Sequence, residues 1–276
     1  MKPCLTILPF VFAVAVAQAA PSAGDAAVRA AIDGYYGRPL PSQGCQLAAP
    51  PKGSQWLGTT NVYCMKPAAA NTVKRNGKTV SYVLYTGFMY DTEQKQKNDA
   101  HAATGLAELF VMEKQGGSWK IAMSGKQEIG AWGETPEPEA WTFVQTGRQN
   151  WGYTAETGYT AQGEHSTAWA YLFTDNRNRV VDGLIRTGLN NAGYYGDCSD
   201  RTGQDKRNCL GSLTDLSAKL TFRRDRVSAA DVYVVEAALS GSQGKKRYRG
   251  RKYLIGYDSA KSRYVAPKDY PLGNSE

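Results

Sequence analysis

A chain of 276 residues, 42% of them hydrophobic, can fill one large core or two small ones and is too apolar to remain disordered. Its 29 glycines and 12 prolines follow no three-residue period, which excludes a collagen. The formal charge is +8, and no stretch after Ala20 is apolar for long enough to cross a bilayer as a helix.

The first residues read as an export leader. Met1-Lys2 gives a positive start, Leu5 to Ala17 is apolar apart from Thr6, and Ala17-Gln18-Ala19 fits a small-x-small cleavage site. The apolar run is about 13 residues, against about 20 for a membrane span. Residues 1–19 are therefore expected to be a signal peptide, with the mature chain periplasmic or secreted, in a bacterial envelope. Cys4 leaves with that peptide. Four cysteines remain, and local pairing predicts the bridges Cys45–Cys64 and Cys198–Cys209. The spacing between them is not that of a zinc site.

Asp25 to Tyr36 is predicted as a helix, because Val28, Ala31, Ile32 and Tyr35 share one face. Ser22 with Asp25 resembles a capping box, and Gly37 and Pro39 end the helix. Strands follow. In Thr79 to Tyr90 the residues Val80, Tyr82, Leu84, Phe88 and Tyr90 alternate, and Asp91 to His101 is a polar excursion. Ala107 to Met112 reads as a buried strand, since Gly116-Gly117 and Trp119 to Met123 look like its turn and return. This helix followed by an antiparallel sheet is similar in pattern to the helix-on-sheet arrangement of cystatin and NTF2-like folds. The fold class expected is α+β and strand-dominated: an α+β domain over 20–133, a Pro/Glu linker over 134–139, and a mainly antiparallel β domain over 140–276. In the second half, Trp141/Phe143, Trp151/Tyr153 and Trp169/Tyr171/Phe173 alternate, and Asp175-Asn176 is a turn. Val180 to Thr187, Asp231 to Leu239, Lys252 to Tyr257 and Arg263 to Ala266 complete the predicted strands.

Catalytic chemistry is thinly supplied. His101 and His165 stand far apart in the chain, outside any metal-ligand spacing. No nucleophile elbow, phosphate loop or dinucleotide fingerprint occurs. Glu134, Glu137 and Glu139 lie in the linker. Asp197, Asp200 and Asp205 are oxygen-rich, but they lack the calcium-loop spacing and are offset by Arg201, Lys206 and Arg207. No catalytic residue, metal or cofactor is assigned.

Charge is the anomaly. From Lys219 to Lys268 there are 13 Lys and Arg against 4 Asp and Glu, so the rest of the chain is nearly neutral. The excess lies in Arg223, Arg224 and Arg226 and in Lys245, Lys246, Arg247, Arg249, Arg251 and Lys252, with Tyr248 among the latter. In an extended strand Arg247, Arg249 and Arg251 would share a face. With neither face apolar before Tyr253, the stretch is expected to project beyond the core as a hairpin arm. These ten residues are the candidate anion-binding set, since arginine forks suit phosphate and carboxylate. Trp151, Tyr153 and Tyr159 are candidate aromatic ligand contacts. The expected function is an exported, non-catalytic binding protein. Its partner would be an anionic envelope glycan, a lipid phosphate or an acidic protein; export argues against nucleic acid. The alternative is an envelope hydrolase acting on glycan or peptide with carboxylates scattered in sequence.

Overall fold

The structure is a computed structural model that describes residues 26–52, 54, 61–131 and 134–273. The predicted leader and the Ser22–Asp25 cap lie outside the described residues. Helix α1 spans Ala26–Tyr36. Val28 and Ile32 are buried and Tyr36, four residues further on, is half-buried against the same core, while Tyr35 stays 48% exposed. Both rings meet Phe110, but only Tyr36 also packs on Tyr85, which takes it further into the core than Tyr35.

The first sheet holds β1 (Pro39–Leu40), β2 (Cys45–Ala48), β3 (Asn61–Arg75), β4 (Lys78–Asp91), β5 (Gln96–Lys97), β6 (Gly105–Gln115) and β7 (Ser118–Ile129). Their order is β1-β2-β3-β4-β6-β7, with β5 returning onto β4, and every pairing is antiparallel. The β6–β7 turn uses Gly116 and Gly117 at φ 57° and 85°, a left-handed pair that side chains resist. Strand β6 is buried on both faces. Leu106, Phe110 and Met112 pack under α1, while Ala107, Leu109 and Val111 face the second sheet.

The second sheet is a meander of β8 (Thr142–Gln145), β9 (Trp151–Ala161), β10 (Glu164–Thr174), β11 (Val180–Asn190), β12 (Thr214–Val227), β13 (Tyr233–Gln243), β14 (Lys246–Asp258) and β15 (Arg263–Val265). Its strand β10 separates two cores. Ala170 and Leu172 join Tyr82, Leu84, Leu109, Trp141 and Tyr153 in a core shared by the two sheets. Tyr171 and Phe173 point the other way, toward Leu239, Tyr257 and Tyr264. The sheet curls around this second core. Tyr264 N–H donates to the Tyr171 hydroxyl at 3.2 Å, and the Tyr270 hydroxyl donates to Arg186 O at 2.9 Å. The Pro/Glu stretch runs along the first sheet. Gly105 N–H donates to Glu134 O, and a short 3-10 turn, Pro138–Ala140, delivers Trp141 into the shared core.

Both predicted bridges are present, Cys45–Cys64 and Cys198–Cys209. The first joins β2 to β3. The second pins an insertion between β11 and β12 that carries α2 (Ala192–Tyr195) and α3 (Gly203–Ser212). The segment between those cysteines is thus partly helical, though Cys209 is the sole buried residue of α3. With so little core of its own, the insertion depends on its crosslink, which should contribute about 3 kcal/mol. Reducing this bridge, or making Cys198→Ser with Cys209→Ser, is expected to leave the sheets intact and to raise amide exchange across 191–213. Exchange that stays slow there would show that packing alone orders the insertion. Among the described residues no helix is long and apolar enough to cross a membrane.

Candidate functional site

Strands β12, β13 and β14 form the basic surface, and their register sets out its layout. Along β12, Leu216, Ala218, Leu220 and Phe222 turn inward, and Ser217, Lys219, Thr221 and Arg223 turn outward. Outward rows then read across the strands: Asp215–Ser242–Arg247, Ser217–Ser240–Arg249, Lys219–Ala238–Lys252 and Thr221–Glu236–Leu254. Lys219, Arg249 and Lys252 thereby surround a floor of small side chains, Ser217, Ser240 and Ala238, and all three cations are exposed. Lys219 and Lys252 flank Ala238 two strand spacings apart, roughly 10 Å.

The basic stretch is no projecting arm. Tyr248 is buried in the second core, as are Tyr253 and Ile255. A bulge lets Tyr248 and Tyr253, an odd number of residues apart, both turn inward. The register slips between Leu239 and Ser240, with Gly250 at φ 69° taking the extra position. That slip also separates the arginines expected on one face. Arg247 and Arg249 point outward, whereas Arg251 lies opposite inward-facing Leu239 and over the Tyr253 ring, 5.0 Å from its centroid.

Some of these cations are already neutralised. Glu236 accepts from Lys252 at 2.9 Å and Arg223 at 2.6 Å, and these two partners hold its carboxyl below the usual range. Arg223 also forks onto Asp225, and Arg251 pairs with Asp269. Lys246 stacks over Tyr248. Among the described residues Lys219, Arg247 and Arg249 have no carboxylate within ion-pair distance. Arg224 and Arg226 bulge out with Asp225 between Arg223 and Val227, opposite Val234 and Tyr233. Lys245 belongs to the turn beyond Gln243. The two basic clusters meet at Glu236, which binds Arg223 of one and Lys252 of the other, while Arg224 and Arg226 lie beside the start of β13 and Arg247 beside its end; Arg247, Arg249, Lys219 and Lys252 make up the contiguous patch.

The candidate aromatic contacts part company. Tyr153 is fully buried, and its single hydroxyl proton is shared between Asn71 Oδ1 at 2.9 Å and Tyr82 O at 3.1 Å, tying one sheet to the other. Trp151 stacks on Phe143 beside the shared core. Tyr159 is 53% exposed. It lies at a second feature, a groove of about 470 Å³ between the sheets. The register explains why the sandwich opens there. Pairs along β9 and β10 on the face toward the first sheet run Tyr153–Leu172, Ala155–Ala170, Thr157–Ala168 and Tyr159–Ser166. The first two pairs lie in the shared core; beyond them Thr157, Ala168 and Ser166 are too small to close the gap, and Tyr159 stands exposed rather than filling it.

Both histidines converge on the groove's hairpin. His101 Nε2 lies 2.8 Å from Thr160 O, and His165 Nδ1 lies 2.9 Å from Thr160 Oγ1. Nothing in the sequence signals that meeting, because it depends on how the sheets stack. Glu128 was likewise outside the predicted set. It lines the groove, and the Tyr63 hydroxyl and Ser54 Oγ both donate to its Oε1 at 2.6 Å. Burial raises the Glu108 carboxyl, and Glu108 does not line this groove. Asp197 caps the short turn at Ser199, and Asp205 pairs with Arg201. No protein-family model, curated protein or solved structure matches this chain.

Proposed function

We infer that the protein is an exported binding protein whose outer β12–β14 face holds an anionic polymer or surface of the envelope, or an acidic partner. One observation carries the reading: Arg247, Arg249, Lys219 and Lys252 stand exposed together on three adjacent strands, above small neutral side chains. Lys252 is held by Glu236, but Lys219, Arg247 and Arg249 have no carboxylate within ion-pair distance among the described residues, and an anion lying across them relieves their mutual repulsion. The small floor lets the anion approach the strands. The two bridges suit an oxidising compartment, and the N-terminal residues have the pattern of an export leader. Phosphate, sulfate and carboxylate groups all fit such a shallow patch.

Binding to heparin and to phosphatidylglycerol vesicles tests this. The face variant Lys219→Ser/Arg247→Ser/Arg249→Ser is compared with Lys66→Ser/Lys74→Ser/Lys120→Ser, which removes the same charge from the first sheet. The face variant is expected to lose about tenfold in affinity at low salt and the control far less, because surface attraction is local within a Debye length. Equal losses would reduce the effect to net charge and refute a site on this face.

A further inference from the structure

We propose that the groove at the open end of the sandwich is a carbohydrate site, distinct from the basic face and taking one or two sugar units. The groove is concave and within the size range of small-ligand sites. Its wall offers what a sugar needs. Sugars present many hydroxyls, each a donor and an acceptor, and one less polar ring face of C–H bonds. Glu128 and Glu164 accept, Arg186 donates, and Thr104 and Ser166 can do either. Tyr159 supplies a flat, exposed ring at the rim for the C–H face.

The parts are held in place before any ligand arrives. Tyr63 is fully buried, and its hydroxyl, with that of Ser54, fixes one oxygen of Glu128. That arrangement leaves Oε2 of the same carboxylate without a hydrogen bond from these two donors. The strand segment carrying Tyr159 is gripped next door, where His101 meets the Thr160 carbonyl and His165 its hydroxyl. Across the hairpin, Tyr159 pairs with Ser166, and on the neighbouring strand Arg186 pairs with Ala168. The stacking ring, the hydroxyl and the guanidinium therefore come from three hydrogen-bonded strands rather than from a loop. A strongly anionic ligand would face two carboxylates here, and a strongly cationic one would face Arg186. A hydroxyl-rich, near-neutral ligand meets neither conflict.

The test uses the mature protein with cellobiose, maltose and N,N′-diacetylchitobiose at millimolar concentration, read by saturation-transfer-difference NMR and then by titration. At least one disaccharide is expected to receive saturation. Tyr159→Ala and Glu128→Gln should each weaken it by about fivefold or more, the effect of a lost contact or charged hydrogen bond. Tyr159→Phe, which keeps the ring, should bind within about twofold of the wild type. The face variant Lys219→Ser/Arg247→Ser/Arg249→Ser should bind as the wild type does, which separates this site from the basic face. No transfer to any of the three sugars, or full binding by Tyr159→Ala or Glu128→Gln, overturns the proposal.

Discussion

Leu172→Ala is expected to destabilise the protein by about 2–5 kcal/mol, the cost of a cavity in a core that cannot collapse to fill it. Leu172 is fully buried in the core shared by the sheets, among Tyr82, Leu84, Leu109 and Trp141. Its walls are strands of both halves, fixed by their own ladders, so little relaxation is available. The loss should register in both halves at once. Far-ultraviolet and near-ultraviolet circular dichroism should shift to the same lower denaturant midpoint, as the sheets bury each other's faces. Leu254→Ala is the matched control. Leu254 is 38% exposed on the outer face, and its truncation should change stability by about 0.5 kcal/mol or less. A Leu172→Ala protein in which one half keeps the wild-type midpoint would show that each half is stable without the other.

What the sequence disclosed depends on where each element finds its partners. Strand β6 was legible because both its faces are buried, which leaves a continuous apolar run before a Gly-Gly turn. The bridges were legible because both are local. Strand β3 gave no such signal. It carries Pro67 and three successive alanines, and it tolerates them through a register shift between Pro67 and Ala69. Strand β12 did carry a signal, Leu216, Ala218, Leu220 and Phe222 alternating with polar residues, but the run Arg223-Arg224-Asp225-Arg226 breaks that alternation before the strand ends. The misplacement of Arg251 has a different origin. A period of two holds only until a bulge, and Gly250 marks the bulge without announcing it. The groove was the least legible feature. Thr104, Glu128, Tyr159 and Arg186 come from four strands or loops of two sheets, and only the stacking of those sheets brings them together.

The same stacking logic leaves one acid in an unfavourable place, and the consequence is a pH dependence. Glu108 lies on β6 beneath α1 with no exposed surface. The Tyr36 hydroxyl donates to Oε2 at 3.0 Å and the Tyr35 hydroxyl to Oε1 at 3.3 Å. Burial raises this carboxyl above its ordinary value; Lys126 and the two tyrosines oppose the shift without cancelling it. A raised folded-state value means that the folded protein holds the proton more tightly than the unfolded chain. That preference stabilises the fold fully below the unfolded value and is lost as the pH rises through the folded one. Glu108→Gln keeps the size and an oxygen for the tyrosines but cannot ionise. Relative to the wild type, the variant should therefore gain stability as the pH is raised from about 4 toward 8, across the range where a buried carboxyl ionises. Thermal midpoints of the two proteins across that range check it. Glu113→Gln, which loosens only a long pairing with the well-exposed Lys78, should show no such widening. A constant gap between Glu108→Gln and the wild type would mean that the tyrosines and Lys126 already compensate the buried charge in full.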